Sequence, residues 1–157
     1  CTMSRTIEIN EEMYRTLHDV GERRDQSVSE LVMWLVKRLE QEYLLERRLF
    51  HRRSTGEVIE RDRKGGTNWT NFTFPTWWHY DVLRGLEYLH RADVRPDDRV
   101  AEAISLVESK RNGDRRWLLE TRYSGRMPVE IDEGVGQPNR WITLRALRVL
   151  NWYYGRK

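Results

Sequence analysis

Leu83-Arg84-Gly85-Leu86-Glu87-Tyr88-Leu89 and Leu144-Arg145-Ala146-Leu147-Arg148-Val149-Leu150 are near-copies of one another, and they govern how the rest of the chain is read. Each follows a tryptophan-bearing approach, Phe74-Pro75-Thr76-Trp77-Trp78 before the first and Pro138-Asn139-Arg140-Trp141 before the second. The spacing recurs upstream: Leu44-Leu45-Glu46-Arg47-Arg48 precedes one copy as Leu106-Val107-Glu108-Ser109-Lys110 precedes the other. Met13-Tyr14-Arg15-Thr16-Leu17-His18-Asp19-Val20 is a weaker third copy that keeps the apolar and arginine positions of the first. Self-similarity of this kind predicts stacked helical units, none of which buries its apolar face alone.

Working outward, the 157 residues suit one compact domain, with two small ones as the alternative. Hydrophobic residues at 38% and charged residues at 34% are a globular balance, and seven tryptophans supply much of the area available to a core. No apolar run approaches the roughly 20 residues that cross a bilayer, and no charged-then-apolar leader opens the chain, so a cytoplasmic home is expected. The single cysteine, Cys1, excludes an internal disulfide framework and a cysteine-rich zinc site. In that setting the Asn68-Trp69-Thr70 and Asn71-Phe72-Thr73 sequons carry no weight. A net charge of +3 permits nucleic-acid binding without indicating it. Opening at Cys1-Thr2, the chain reads either as starting at Met3 or as the C-terminal piece of a longer protein, and the repeat favours the second.

Helical periodicity dominates. Val28, Leu31, Val32, Leu35, Leu39 and Tyr43 share a stripe that runs on through Leu45, Leu49 and Phe50, and Ser27 with Glu30 forms a capping box before it. Residues 51–66 are polar and end in Gly65-Gly66, a loop signature. A second helix is predicted from about Trp78 to His90, and a third behind Pro96 with Asp97 and Asp98 in its first turn, ending at Asn112-Gly113. Extended pieces are expected near Trp117-Leu118-Leu119 and Val129-Glu130-Ile131, then a last helix from Trp141 to Tyr154. The order is a front helix, then helix, long loop, helix, helix, long loop, helix: an all-α chain whose loops are the natural place for binding groups.

The stretch Phe74-Pro75-Thr76-Trp77-Trp78-His79-Tyr80-Asp81-Val82-Leu83-Arg84-Gly85-Leu86 resembles a hallmark of bacterial proteins in the prenyltransferase and squalene-cyclase repeat family. Glu42 to Phe50, Ser54 to Ile59 and Arg140 to Leu150 carry the same resemblance. It implies an α/α toroid of about two to two and a half units, with inner and outer helices around a cavity able to take an apolar or isoprenoid ligand. It also implies no assigned reaction. The aspartate-rich acid motif of the cyclases is reduced to Asp97-Asp98, better read as a helix-dipole pair, and the Asp, Cys and His zinc set of the protein prenyltransferases is missing. Where the family's aromatic repeat has a Gly-x-Trp turn, this chain reads Asp114-Arg115-Arg116-Trp117. No catalytic residue, metal or cofactor is expected.

The residues singled out as a candidate ligand pocket are Trp77, Trp78, His79, Tyr80, Asp81, Arg84, Trp141 and Arg145. Tryptophans wall an apolar space, and matched arginines hold a phosphate or carboxylate. The competing structural reading pairs those arginines with acids such as Glu87, Glu120 or Glu130, and makes Asp81 a helix cap. Glu130, Asp132 and Glu133 beside Gly134 and Gly136 read as a solvated loop rather than an ion site.

The front end resembles a second family. Ser4-Arg5-Thr6-Ile7-Glu8-Ile9 alternates like a strand, an amphipathic helix follows, and a break at 21–26 leads to Ser27-Val28-Ser29-Glu30-Leu31 opening another helix. This is similar to the ribbon-helix-helix proteins, homodimers whose paired strands enter the major groove. That resemblance implies Thr6 and Glu8 at base edges, and the amides near Ser27 and Ser29 on a phosphate. It divides the chain into a head at 3–42 and a repeat module at 43–157. The alternative function is then a dimeric DNA-binding regulator.

Overall fold

The computed structural model describes residues 9–59, 68–123 and 134–155. Five α-helices lie among them: α1 (Glu11–Arg24), α2 (Val28–Glu46), α3 (Val82–Arg91), α4 (Ala101–Ser109) and α5 (Arg140–Tyr154). The described residues contain no strand, only isolated bridges, so the fold is all-α. No described helix is long and apolar enough to cross a membrane. The chain divides into two compact units, Cys1–Glu42 and Tyr43–Lys157.

In the first unit the turn between helices is set by local chemistry. Asn10 caps α1 by accepting from the Met13 amide at 2.8 Å. Asp25 closes the helix in the left-handed region (φ 55°), and the Gln26 amide returns to the Gly21 carbonyl at 3.0 Å. A Cβ on Gly21 would lie 2.6 Å from the Gln26 oxygen, so only glycine admits this return. α2 opens on the capping box: the Ser27 amide donates to Glu30 at 2.8 Å, and the Glu30 amide donates to Ser27 Oγ at 3.2 Å. The Ser27 hydroxyl also donates to Glu30 Oε2 at 2.7 Å, and together with the Ser27 amide it holds the Glu30 carboxyl below its ordinary value. Packing is thin by contrast. Leu31 is the one buried large apolar side chain among the unit's described residues, while Met13, Tyr14, Met33, Trp34, Leu35, Val36 and Leu39 are exposed.

The second unit holds the core. Leu45, Leu49, Phe50, Phe72, Val82, Leu83, Leu86, Leu89, Val100, Ala103, Ile104, Val107, Trp117, Leu119, Ile142, Ala146, Val149 and Leu150 form one buried cluster. α2 ends at Glu46, earlier than its apolar stripe predicts, because Arg48 and Leu49 turn left-handed (φ 44° and 69°). That turn still delivers Leu49 and Phe50 to the core. α3 starts at Val82 rather than near Trp78, since Asp81 is extended and caps it, accepting from the Arg84 amide at 2.7 Å. A 3₁₀ turn, Asp98–Val100, precedes α4, and Asp97 caps it with its carboxylate against Arg99. The Arg99 bond holds the Asp97 carboxyl below its usual range. α4 stops at Ser109, ahead of Asn112-Gly113. Buried Trp117 donates its indole N–H to the Val107 carbonyl at 2.6 Å, tying the following segment to α4. Asn139 caps α5 and Gly155 (φ 64°) closes it.

The two near-copies fall on α3 and α5, which pack against each other. Their buried faces, however, are one residue out of step with their sequence likeness. Leu83 and Leu86 are fully buried, while their counterparts Leu144 and Leu147 are exposed. The positions that match in burial are Val82 with Ile142, Gly85 with Arg145, Leu86 with Ala146, and Leu89 with Val149. One residue is a rotation of about 100° on a helix, which turns a core position into a flank.

Candidate functional site

α3 and α5 enclose a cleft of about 600 Å³ lined by Phe74, Thr76, Arg84, Glu87, Tyr88, Arg91, Trp141, Leu144, Arg145 and Arg148. Apart from Phe74 and Thr76, these are two identical helical sets. Positions 84, 87, 88 and 91 on one side face 141, 144, 145 and 148 on the other, the i, i+3, i+4, i+7 stripe of a single helix face. Phe74 and Trp141 stack at one end, with ring centroids 5.4 Å apart and planes 15° from parallel.

Arg145 is the structural centre of this region. Its Nε donates to Glu87 Oε2 at 2.7 Å and Nη1 donates to the Thr73 carbonyl at 3.1 Å, while Nη2 stands 3.7 Å from Asp81 Oδ1. Arg145 is only 8% exposed. Asp81 is fully buried, and its Oδ2 has no hydrogen-bond partner among the described residues. Desolvation pushes its carboxyl up from 3.8 to about 6, against the pull of Arg145 and of the Arg84 amide. Arg84 Nη1 donates to the carbonyls of Trp77 (2.7 Å) and His79 (2.8 Å), bracing the turn that precedes the helix.

The residues expected to form one pocket therefore separate. Arg84, Trp141 and Arg145 line the cleft. Trp77 and Trp78 do not: Trp77 sits in the left-handed region (φ 47°), and the turn presents its carbonyl to Arg84, leaving Trp78 78% exposed. His79 stacks on Tyr123 at 3.5 Å between centroids. Tyr80 donates to the Leu49 carbonyl at 2.9 Å and stands edge-on to Trp69, and burial pushes its phenol above its ordinary range. Asp81 is a cap and an ion-pair partner behind the cleft. The pairing of Arg145 with Glu87 follows the competing structural reading, whereas Glu120 pairs with Lys110 instead. Sequence reasoning missed Arg91 and Arg148, although their stripe spacing with Arg84 and Trp141 was visible.

Thr6 and Glu8 lie outside the described residues, as do Glu130, Asp132 and Glu133. Ser29 is exposed in the first turn of α2, and the Ser27 amide is engaged by Glu30. A hollow beside Ser27 is lined by Glu22, Asp25 and Gln26, so a phosphate there would meet two carboxylates. No group of three His, Cys, Asp or Glu side chains gathers at metal-binding range among the described residues. A scan against protein-family models found no match, and searches of curated proteins and of solved structures found none either.

Proposed function

We propose that the second unit is a non-catalytic ligand-binding module of the squalene-cyclase and prenyltransferase repeat type, a toroid-like repeat whose ligand occupies the α3–α5 cleft. The observation that carries this reading is the cleft itself, with the stacked Phe74–Trp141 pair as its wall. The repeat relation is supported by a detail of backbone. Arg115 adopts the left-handed conformation (φ 61°) where the family's turn has glycine, so the turn's shape is kept without its usual residue. The buried carboxyl of the region, Asp81, is held by Arg145 and the Arg84 amide behind the cleft, which is a poor arrangement for donating a proton to a bound ligand. Titration of the protein with farnesol, followed by tryptophan fluorescence, tests the reading. Saturable binding that Trp141→Ala weakens at least about tenfold is expected, with farnesol recovered unchanged. Binding that is indifferent to Trp141 would sink it.

A second reading, a homodimeric ribbon-helix-helix regulator, is favoured by the exposed apolar side chains of α1 and α2, which ask for a partner surface. Electrostatics count against it. Cys1–Glu42 holds six Arg and Lys against nine Asp and Glu, a net −3, so all the excess positive charge lies in the second unit. Fluorescence anisotropy with duplex DNA across a salt series decides the matter: affinity that falls steeply with salt and requires residues before Ser27 supports the regulator, and no binding at low salt removes it.

A further inference from the structure

We infer that the ligand of the cleft is an amphiphile with an oxyanion headgroup, carboxylate or phosphate, held between Arg91 and Arg148. The inference rests on the cleft being a ligand site and adds the chemistry of what fills it. Four guanidinium groups line the cleft, but they are not equivalent. Arg84 is engaged by two backbone carbonyls, and Arg145 by Glu87 and the Thr73 carbonyl. Glu87, the lone carboxylate among the lining residues, is paired with Arg145, which also stands beside Asp81 behind the cleft. Arg91 and Arg148 are exposed and have no carboxylate or carbonyl partner among the described residues.

Each of these two arginines lies about one helical turn beyond the Glu87–Arg145 pair, Arg91 after Glu87 on α3 and Arg148 after Arg145 on α5. Arg145 meets Glu87, and further along α5 Trp152 meets His90 of α3 (5.9 Å between rings) and donates to the carbonyl of Val94, beyond the end of α3, at 3.0 Å. The contacts advance in the same direction along α3 and α5. The aromatic pair is at the opposite end: Trp141 precedes Arg148 by seven residues, about 10 Å at 1.5 Å per residue. A ligand that satisfies both ends has an apolar body against Phe74, Trp141 and Leu144 and an anionic group about 10 Å away. Guanidinium forks suit carboxylate and phosphate oxygens through paired N–H donors. The surplus positive charge of the second unit steers such a ligand inward.

The test compares decanoate, decyl phosphate, 1-decanol and inorganic phosphate by calorimetry. The proteins are the full chain and the double variant Arg91→Gln/Arg148→Gln, which should fold normally because both side chains are exposed and neither has a carboxylate or carbonyl partner among the described residues. Decanoate or decyl phosphate should bind about tenfold or more tighter than 1-decanol, with the tighter of the two naming the headgroup. The double variant should reduce the anions to the level of the alcohol and leave the alcohol unchanged. Equal affinity for alcohol and anions, or an anion preference that survives in the variant, overturns the inference while leaving the cleft a ligand site. Inorganic phosphate binding as tightly as decyl phosphate overturns the amphiphile. Failure of every probe overturns the cleft reading and the inference together.

Discussion

Arg145 of α5 donates to Glu87 of α3 across 2.7 Å, and through this bond two helices that carry near-copies of one sequence come to play different parts. The same guanidinium reaches the Thr73 carbonyl and lies beside the carboxylate of Asp81. One buried side chain thus joins α5, the N-cap of α3 and the segment before it.

Removing that side chain leaves two carboxylates uncompensated. Arg145→Met should destabilise the protein by about 3–5 kcal/mol in urea unfolding, the usual consequence of stripping a buried ion pair of one partner. Adding Glu87→Gln to it should recover part of the loss, because the stranded charge is then gone. If the two substitutions simply add, the pair is not coupled as the geometry requires.

The Asp81 carboxyl gives a pH signature of unusual sign. Its folded pKa, about 6, exceeds its ordinary 3.8, so between those values the native state binds more protons than the unfolded one. Its contribution is therefore most favourable at low pH and is lost as the pH rises towards 6. The full difference is on the order of 3 kcal/mol. Asp97 and Glu30, whose carboxyls are lowered, act in the opposite direction. The effect should appear as a difference: Asp81→Asn, which keeps a competent cap, should flatten the fall in stability across pH 4–6 relative to the parent. Parallel stability profiles for the two proteins would contradict it.

Gly85 sits where α3 meets the Tyr80 ring. A Cβ there would stand 2.3 Å from the Tyr80 hydroxyl and 2.7 Å from Leu49 Cδ2, so Gly85→Ala should cost about 1–3 kcal/mol despite the better helix propensity of alanine. Tyr80→Phe removes both the nearest atom and the bond to the Leu49 carbonyl. In thermal unfolding the double variant should lose less than the sum of the singles, since the first clash disappears with the hydroxyl.

The first unit exposes Trp34 and Leu39, the latter at 69%. If the chain self-associates through this face, Leu39→Glu should shift sedimentation velocity towards the monomer while leaving the cleft's ligand affinity unchanged. A parent protein that is monomeric at high micromolar concentration would leave the regulator reading without its dimer.

Sequence alone determined the helices and their order, because the signals are local. Asn10, Ser27 with Glu30, Asp81, Asp97 and Asn139 each cap the turn that follows, and the stripes between them have helical period. The cleft was half legible: Arg84, Trp141 and Arg145 were visible as repeated residue types, and they line it. Only the tertiary structure decided which of the cleft's arginines are engaged among the described residues, since that depends on Glu87 and Thr73 reaching Arg145 across 58 and 72 residues of chain. It also exposed Trp78, buried Asp81, and set the near-copies one residue out of phase. A helix's period follows from its own residues, but the face it buries is chosen by its neighbour, and a rotation of about 100° is enough to exchange a core leucine for a cleft arginine.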